Sequence, residues 1–312
     1  MSIYPDQIIF HMPSNFNQSL KQKAGIEKLC ERNPLPVRIC DTMLLGHFQK
    51  YTSQRKDRAF MKEKHIDINE NGASVRCRLL VEEDSRTHDR VVICTHGYGS
   101  SKDVANITRF AEKYLSKHKA DAVIAFDWPC HGQDARKKLE LKDCMLYLTL
   151  VTDYAKNTLQ AKTLFNYSVS FGGYLTLKYI AEIGNPFAKI ALRAPGIRMH
   201  DLMLKNVKDT DLEKLEKGKE VMIGLDRKFK VDKSLFDELA ASDVRKYEYF
   251  DWADSMIVIH GTADEMVPIS DSEKFCEDNV IELVPVEGAD HPFRNPKLMD
   301  TAIHTIVEFF SE

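Results

Sequence analysis

The chain has 312 residues, of which 43% are hydrophobic, so it is long enough to bury one large core or two ordinary ones. Its 44 Lys and Arg side chains are balanced by 47 Asp and Glu, which gives a formal net charge of -3. This balance leaves no overall basic field that would attract a polyanion, and we therefore expect no nucleic-acid partner.

The first 60 residues precede the first predicted strand and contain a helical pattern, "NQSLKQKAGIEKLCER", followed by the helix breaker "NPLP". We interpret residues 1–60 as an N-terminal helical extension that docks on the core, and as a candidate homodimer interface. The chain does not open on a basic segment followed by an apolar stretch, and no run approaches eighteen apolar residues. We therefore expect a cytoplasmic protein without integral membrane association.

Seven cysteines are dispersed along the chain, with no CxxC pair and no Cys/His cluster at the spacing of a zinc site. An odd, scattered set of this kind is typical of reduced and mostly buried thiols. We expect neither a metal nor a cofactor.

Short apolar runs recur along the chain after a first strand signal, "HIDINENGASVRCRLLVEE", which contains the turn signal "NENG". Each later run is continuously apolar, as a strand covered by helices on both faces must be. In chain order these runs are "RVVICTHG", "DAVIAFDWP", "TLFNYSVS", "AKIALRAP", "SMIVIHG" and "VIELVPVEG". They predict the strands of one sheet.

Helical patterns separate these predicted strands, with apolar residues spaced three and four apart, as in "VANITRFAEKYLSKH" and "MLYLTLVTDYAKNTL". Alternation of strand and helix predicts a mostly parallel central sheet flanked by helices, with right-handed crossovers. This alternation of strand and helix is interrupted over about residues 197–254, where charged helical patterns replace strand signals. We interpret residues 61–312 as one domain and residues 197–254 as a helical insertion in it.

A lone serine, Ser170, stands between a predicted strand and a predicted helix in "TLFNYSVSFGGYLTLKYI". A serine hydroxyl needs a base to become a nucleophile, and it must protrude from a tight turn to reach a substrate. The sequence from Ser168 to Gly172 is the nucleophile elbow GxSxG with serine in place of the first glycine. Ser168 is the rival hydroxyl, but it lies inside the predicted strand.

An acid and a histidine follow at the ends of the next two predicted strands, Asp264 in "HGTADEMVP" and His291 in "GADHPF". The order serine, acid, histidine is the one found in α/β-hydrolases and differs from that of other serine-hydrolase folds. The chain resembles the α/β-hydrolase superfamily, particularly its lidded esterase branch of feruloyl and cinnamoyl esterases and monoacylglycerol lipases. Matching motifs run from about Ile66 to the C-terminus.

The resemblance implies an α/β-hydrolase fold in which residues 197–254 form a lid. It implies that Ser170, His291 and Asp264 are the catalytic triad and that the backbone N–H groups of Tyr98 and Phe171 form the oxyanion hole. The chain departs from the family pattern at Ser168 and at Cys130, where the family usually or often has glycine.

Other residues compete for these roles. The candidate bases His96, His131 and His260 all stand in His-Gly turns, where a histidine more often orders the loop. The alternative acids are Asp254, Asp290 and Glu265, of which Glu265 is the best substitute. The thiol of Cys130 is interpreted as structural because no helix follows to lower its pKa, and Trp128 is expected to pack near the pocket.

These residues predict a serine hydrolase that cleaves a carboxylic ester of a small-molecule or acyl substrate. A thioesterase would use the same triad. A serine peptidase of the prolyl oligopeptidase kind would share the catalytic domain. Such a peptidase also carries a large propeller, however, for which an extension of about 60 residues leaves no room. A non-catalytic binding protein on the same fold is the remaining alternative, and the intact triad argues against it.

Overall fold

The computed structural model describes residues 61–83 and 85–312, so the predicted N-terminal extension, with its docking and dimerisation hypotheses, lies outside the described residues. The strands are β1 Lys62–Glu70, β2 Ala73–Val81, β3 Arg90–Thr95, β4 Ala122–Phe126, β5 Thr163–Val169, β6 Lys189–Arg193, β7 Val221–Ile223, β8 Phe229–Val231, β9 Met256–Gly261 and β10 Glu282–Val286. The α-helices are α1 Ala105–Lys117, α2 Leu141–Asn157, α3 Phe171–Glu182, α4 Met199–Leu204, α5 Asp209–Glu216, α6 Lys233–Ala241, α7 Ile269–Asn279 and α8 Pro296–Phe309. Short 3-10 helices span Val244–Lys246 and Phe250–Ser255.

Eight strands form one sheet in the order β1-β2-β4-β3-β5-β6-β9-β10. The six strands predicted from apolar runs, from β4 across to β10, pair in parallel, and β2 pairs antiparallel with β1 and β4. The predicted architecture, a mostly parallel central sheet flanked by helices, is confirmed. In the "NENG" turn Asn71 and Gly72 have φ of 51° and 73°, the pair of positive values that a two-residue type I′ hairpin requires.

Helices cover both faces of this sheet. Alternate residues of β3 point to opposite sides, so Val91 and Ile93 join the core under α2 and α3, whereas Val92 and Cys94 join the core under α1 and α8. Each fully buried aliphatic side chain contributes about 1.5–3 kcal/mol relative to an exposed one. Among the described residues, no helix combines the length and the apolar character needed to cross a membrane.

Between β6 and β9 the chain leaves the sheet and forms α4, α5, the antiparallel hairpin β7–β8, α6 and the two 3-10 helices. The helical insertion predicted over about residues 197–254 therefore also contains a short β-hairpin. Each hairpin strand has three residues in the pattern buried, exposed, buried. Such a strand is too short for its alternation to stand out from a helical pattern in the sequence.

Arg227, in the turn between β7 and β8, ties the insertion to the loop after β4. Its Nη1 donates to the carbonyl oxygens of His131 at 3.3 Å and Gly132 at 2.9 Å. Its Nη2 donates to those of Asp134 at 2.6 Å and Arg136 at 3.2 Å. One guanidinium therefore satisfies four backbone acceptors and fixes the hairpin against the loop after β4.

The carboxyl ends of the parallel strands meet at one edge of the sheet, where ligands bind in open α/β folds. Four of the sequence-predicted site residues follow directly in the loops at this edge: Tyr98 after β3, Ser170 after β5, Asp264 after β9 and His291 after β10. The topology thus brings together side chains that are up to 193 positions apart in the chain, the separation of Tyr98 and His291 (291 - 98).

Replacing Arg227 with methionine should loosen the insertion, because methionine keeps aliphatic bulk but cannot donate to the four carbonyl groups. We expect faster amide hydrogen exchange, measured by mass spectrometry, in peptides from residues 221–231 and 131–136. Lys228→Met, which removes the neighbouring exposed cation, is the matched control. Equal protection in the two variants would contradict the role given to Arg227.

Candidate active site

Ser170 lies at a sharp turn between β5 and α3. Its φ of 52° and ψ of -114° are unfavourable for a residue with a Cβ atom, and such a conformation costs about 1–3 kcal/mol. Three backbone hydrogen bonds hold it: Ser170 N–H donates to the Arg193 carbonyl at 3.0 Å, and the Ser170 carbonyl accepts from Tyr174 and Gly196 N–H groups, both at 3.1 Å. Ser170 thus stands at the tip of a tight strand-to-helix turn.

Small residues around Ser170 allow α3 to pack closely on β3. A Cβ atom on Gly172 would lie 2.3 Å from Thr95 Oγ1, so only glycine fits there. Ser168, which stands where the family has glycine, is fully buried. Its hydroxyl donates to Asn166 Oδ1 at 2.5 Å and accepts from Thr95 Oγ1 at 2.8 Å. This departure from the family pattern therefore leaves no unsatisfied hydroxyl and no second exposed nucleophile.

A hydrogen-bonded chain connects Ser170, His291 and Asp264. Ser170 Oγ lies 3.0 Å from His291 Nε2, and His291 Nδ1 lies 2.7 Å from Asp264 Oδ2. Because the carboxylate faces Nδ1, that nitrogen carries the proton and Nε2 is left as the acceptor of the serine proton. The arrangement can therefore raise the nucleophilicity of the Ser170 hydroxyl.

Asp264 is buried and strongly held as a carboxylate. Burial by itself raises its pKa, but hydrogen bonds from His260 and His291, the nearby charge of His291 and the N–H of Val267 outweigh it, so the pKa lies well below the ordinary value. Its Oδ1 accepts from the N–H groups of Met266 at 2.9 Å and Val267 at 2.8 Å. The carboxylate consequently stays ionised at neutral pH, and it can stabilise the imidazolium that forms when His291 Nε2 accepts a proton.

The rival histidines have other partners. His96 Nδ1 bonds to the Gly97 carbonyl at 2.8 Å, while its Nε2 accepts from Trp128 N–H at 3.2 Å. Burial lowers the pKa of His96 to about 3, which keeps the ring neutral. His131 Nδ1 bonds to the Pro129 carbonyl at 2.9 Å. Both rings order the loops after β3 and β4, and no hydrogen bond joins either of them, or His260, to Ser170.

The rival acids also lie apart from the hydrogen-bonded chain. Asp254 and Glu265 are exposed, and Asp290 bonds to the backbone N–H and the guanidinium of Arg294, both at 2.8 Å. None of the three forms a hydrogen bond with His291. Among the described residues, Asp264 is thus the carboxylate bonded to this imidazole.

Cys130 is a buried residue with a φ of 68°, which explains why the family often has glycine at this position. Burial raises the pKa of its thiol to about 12, so the thiolate is not available at neutral pH. Trp128 lies in the same loop after β4 as Cys130 and is fully buried. Its Nε1 donates to the carbonyl oxygen of His96, in the loop after β3, at 3.0 Å. Both side chains support the loops around the site.

The loop after β3 passes beside Ser170. A Cβ atom on Gly97 would lie 3.1 Å from Ser170 Cβ, so the backbone before Tyr98 is close to the nucleophile. Phe171 is the first residue of α3, where an N–H group has no partner within the helix. The Tyr98 ring, whose direction the sequence does not predict, packs edge-on against the rings of Phe171 at 6.2 Å and Phe229 at 5.7 Å.

A cavity of about 480 Å³ opens over Ser170 and His291. Its walls are largely apolar and come from both the loops and elements of the main sheet, here called the core, and the insertion. The core contributes Val104, Ile107, Val169 and Val267, and the insertion contributes Met199, Leu202, Met203 and Leu225. This volume suits a small organic ligand.

Arg193 also lines this cavity and was not among the predicted site residues. It ends β6 in the run "KIALR" and is only 4% exposed. Its signal in the sequence is a lone arginine directly after the apolar residues Ile190, Ala191 and Leu192 of this strand. The apolar cavity residues of the insertion were missed for a different reason, since their direction depends on how α4 and the hairpin turn.

A profile of the prolyl oligopeptidase family matches residues 124–312, from β4 to the end of the chain. The chain belongs to the prolyl oligopeptidase family. The matched residues lie within 61–312, the part of the chain that a serine peptidase of this kind is expected to share. A search of curated proteins found no match.

Solved structures similar to this prolyl oligopeptidase family member share its fold at low sequence identity. Est1E from Butyrivibrio proteoclasticus, solved with ferulic acid bound, is 17% identical with a TM-score of 0.64 over 79% of this chain and 100% of that chain. A putative hydrolase from Agrobacterium vitis S4 is 18% identical, with a TM-score of 0.63 over 80% and 99%. The esterase domain of a Rhodothermus marinus protein is 17% identical, with a TM-score of 0.57 over 80% and 98%. Family and fold together indicate a serine hydrolase of the α/β-hydrolase type.

Asp264→Asn should lower kcat by about 10⁴-fold while the fold is retained. The amide oxygen can still accept from the Met266 and Val267 N–H groups, but the NH₂ group would face His291 Nδ1 and favour the wrong tautomer. Steady-state kinetics with a chromogenic ester measure the loss. Asp290→Asn, one residue before His291, is the matched control. A loss of less than tenfold in Asp264→Asn would exclude Asp264 as the residue that orients the imidazole.

Proposed function

We propose that the protein hydrolyses a carboxylic ester through an acyl-enzyme on Ser170. The observation that carries this proposal is the chain from Ser170 Oγ through His291 to buried Asp264, at 3.0 Å and 2.7 Å, facing an apolar cavity of about 480 Å³. The fold supplies the scaffold, and these groups supply the chemistry.

In the acylation step Ser170 Oγ attacks the ester carbonyl while His291 Nε2 takes its proton. The imidazolium that forms lies against the Asp264 carboxylate, which stabilises the positive charge without accepting the proton. His291 then donates the proton to the leaving alcohol as the carbon–oxygen bond breaks. Water enters, His291 takes its proton, and attack on the acyl-enzyme releases the acid and restores Ser170.

The oxyanion of each tetrahedral intermediate requires donors that are already in place. We assign this role to the N–H groups of Tyr98 and Phe171. Two features support the assignment: Gly97 lets its loop approach Ser170, and Phe171 begins α3, whose positive end favours negative charge. One donor of this kind is worth about 2.7–4 kcal/mol of transition-state stabilisation.

We assign residues 61–312 to the hydrolase domain and about residues 197–254 to its lid. Met199, Leu202 and Met203, from α4, form part of the cavity wall, and the Leu225 side chain lies against Gly99. A lid of this composition would shield an acyl or aromatic group from water. Two of the structural relatives are described as an esterase or as binding ferulic acid, and this likeness also favours an ester substrate.

A peptide is the second candidate substrate, because the chain belongs to the prolyl oligopeptidase family. The same serine, imidazole and oxyanion donors serve peptide cleavage. A thioester is chemically accessible to the same groups. The three substrate classes differ in the leaving group and in what the cavity must accommodate, so matched substrates can separate them.

The proposal is tested with one acyl chain presented as a 4-nitrophenyl ester, a thiophenyl ester and a 4-nitroanilide, together with an acyl-Gly-Pro 4-nitroanilide. We expect the ester to give the largest kcat/KM relative to its spontaneous hydrolysis. If the proline anilide gives the largest value of this ratio, the protein is a peptidase. If the thiophenyl ester gives the largest value, it is a thioesterase.

Ser170→Ala should lower kcat on the preferred substrate by at least 10³-fold, because it removes the oxygen that forms the acyl-enzyme. Ser168→Ala is the matched control: it removes a buried hydroxyl two residues away and should stay within about tenfold of the wild type. Retained turnover in Ser170→Ala would overturn the proposal.

A further inference from the structure

The described residues include four Lys or Arg side chains that are buried. A buried charge is normally paired, because removing it from water without a partner is costly. Three of the four form ion pairs, with N···O distances of 2.8, 2.7 and 2.6 Å: Arg78 with Glu63, Lys102 with Asp103 and Lys178 with Glu182. The fourth, Arg193, has no carboxylate within 4.0 Å among the described residues and is 4% exposed.

Arg193 uses only part of its hydrogen-bonding capacity within the protein. Its Nε donates to Tyr167 Oη at 3.2 Å and its Nη1 donates to the His291 carbonyl at 3.2 Å. The Phe293 ring lies 4.9 Å from the guanidinium carbon. A guanidinium has five N–H donors, so three remain, both on Nη2 and one on Nη1. Since Arg193 lines the cavity, a ligand there can accept from them.

The charges around the cavity have one sign. No Asp or Glu is among its lining residues, whereas Lys205 and Arg294 line it together with Arg193. Arg294 is paired with Asp290 at 2.8 Å, and Lys205 is exposed and forms no ion pair with a described residue. The formal net charge of the chain is -3, so the positive cavity is a local arrangement and not a reflection of the whole protein.

We propose that Arg193 binds an anionic group, a carboxylate or a phosphate, on the substrate that Ser170 attacks. The inference rests on the proposed ester hydrolysis and deepens it by naming the substrate class: an ester with an apolar part and one anionic group. Such a group would accept hydrogen bonds from the adjacent Nη1 and Nη2 atoms, the geometry in which arginine binds carboxylate and phosphate oxygens.

A second role for Arg193 must be separated from this one. Because its Nη1 bonds to the His291 carbonyl, the side chain also positions the loop that carries the imidazole. Loss of this positioning would slow every ester alike. Loss of anion binding would affect only the charged esters and would act mainly through KM.

The test uses two matched pairs of esters, because the anionic group can belong to either half of the substrate. The acyl pair is 4-nitrophenyl hexanoate and the mono-4-nitrophenyl ester of adipic acid. The alcohol pair is 4-carbamoylphenyl hexanoate and 4-carboxyphenyl hexanoate. Analogues with a phosphonate in place of the carboxylate distinguish the two sources of the anion.

In the wild type we expect the anionic member of at least one pair to have a kcat/KM at least tenfold higher. Arg193→Gln should raise the KM of the anionic ester at least tenfold more than that of its neutral partner, beyond any loss common to both esters that follows from the altered His291 loop. Arg193→Lys should restore part of the preference. Arg109→Gln removes a half-buried arginine that is paired with Asp300 outside the cavity, and this variant should retain the preference.

Absence of any preference in the wild type, or an equal loss on neutral and anionic esters in Arg193→Gln, would overturn the inference and leave ester hydrolysis standing. Failure of the wild type to turn over any of these esters, neutral or anionic, would instead overturn the proposed function.

Discussion

The backbone conformation of Ser170 is the constraint on which the rest of the site depends. A positive φ at a residue with a Cβ atom persists only where its surroundings fix it. Here the carbonyl of Arg193, at the end of β6, and the N–H groups of Tyr174 and Gly196 do so. The nucleophile is thereby tied to two parallel strands and a helix, and its position has the rigidity of the sheet and not the mobility of a surface loop.

Charge is arranged around this rigid centre in three zones. Behind the imidazole, Asp264 is kept ionised by the hydrogen bonds that converge on it, despite its burial. Below the loop after β3, His96 is kept neutral by burial, which leaves the Trp128 N–H paired and adds no cation. On the substrate side, Arg193 adds a cation to an otherwise largely apolar cavity. Asp264 thus stabilises the imidazolium, neutral His96 orders the loop after β3, and Arg193 is available to the ligand.

Much of this arrangement could be predicted from the sequence, because it depends on local patterns. Continuous apolar runs that end in turn residues indicated the parallel strands, and the order Ser170, Asp264, His291 indicated which loops would meet. The β7–β8 hairpin could not be predicted, since three-residue strands leave no periodicity. The role of Arg193 could not be predicted either, because whether a buried arginine has a carboxylate partner depends on contacts between distant segments.

The central claim, that Ser170 is an activated nucleophile in this geometry, is tested most directly by labelling with a fluorophosphonate, which reacts with serines that a base activates. Intact mass and peptide mapping would be compared between the wild type and Ser170→Ala, with circular dichroism to verify that both are folded. The account predicts one adduct in the wild type, on the peptide that contains Ser170, and none in the variant. An unlabelled wild type, or an adduct that persists in Ser170→Ala, would contradict it.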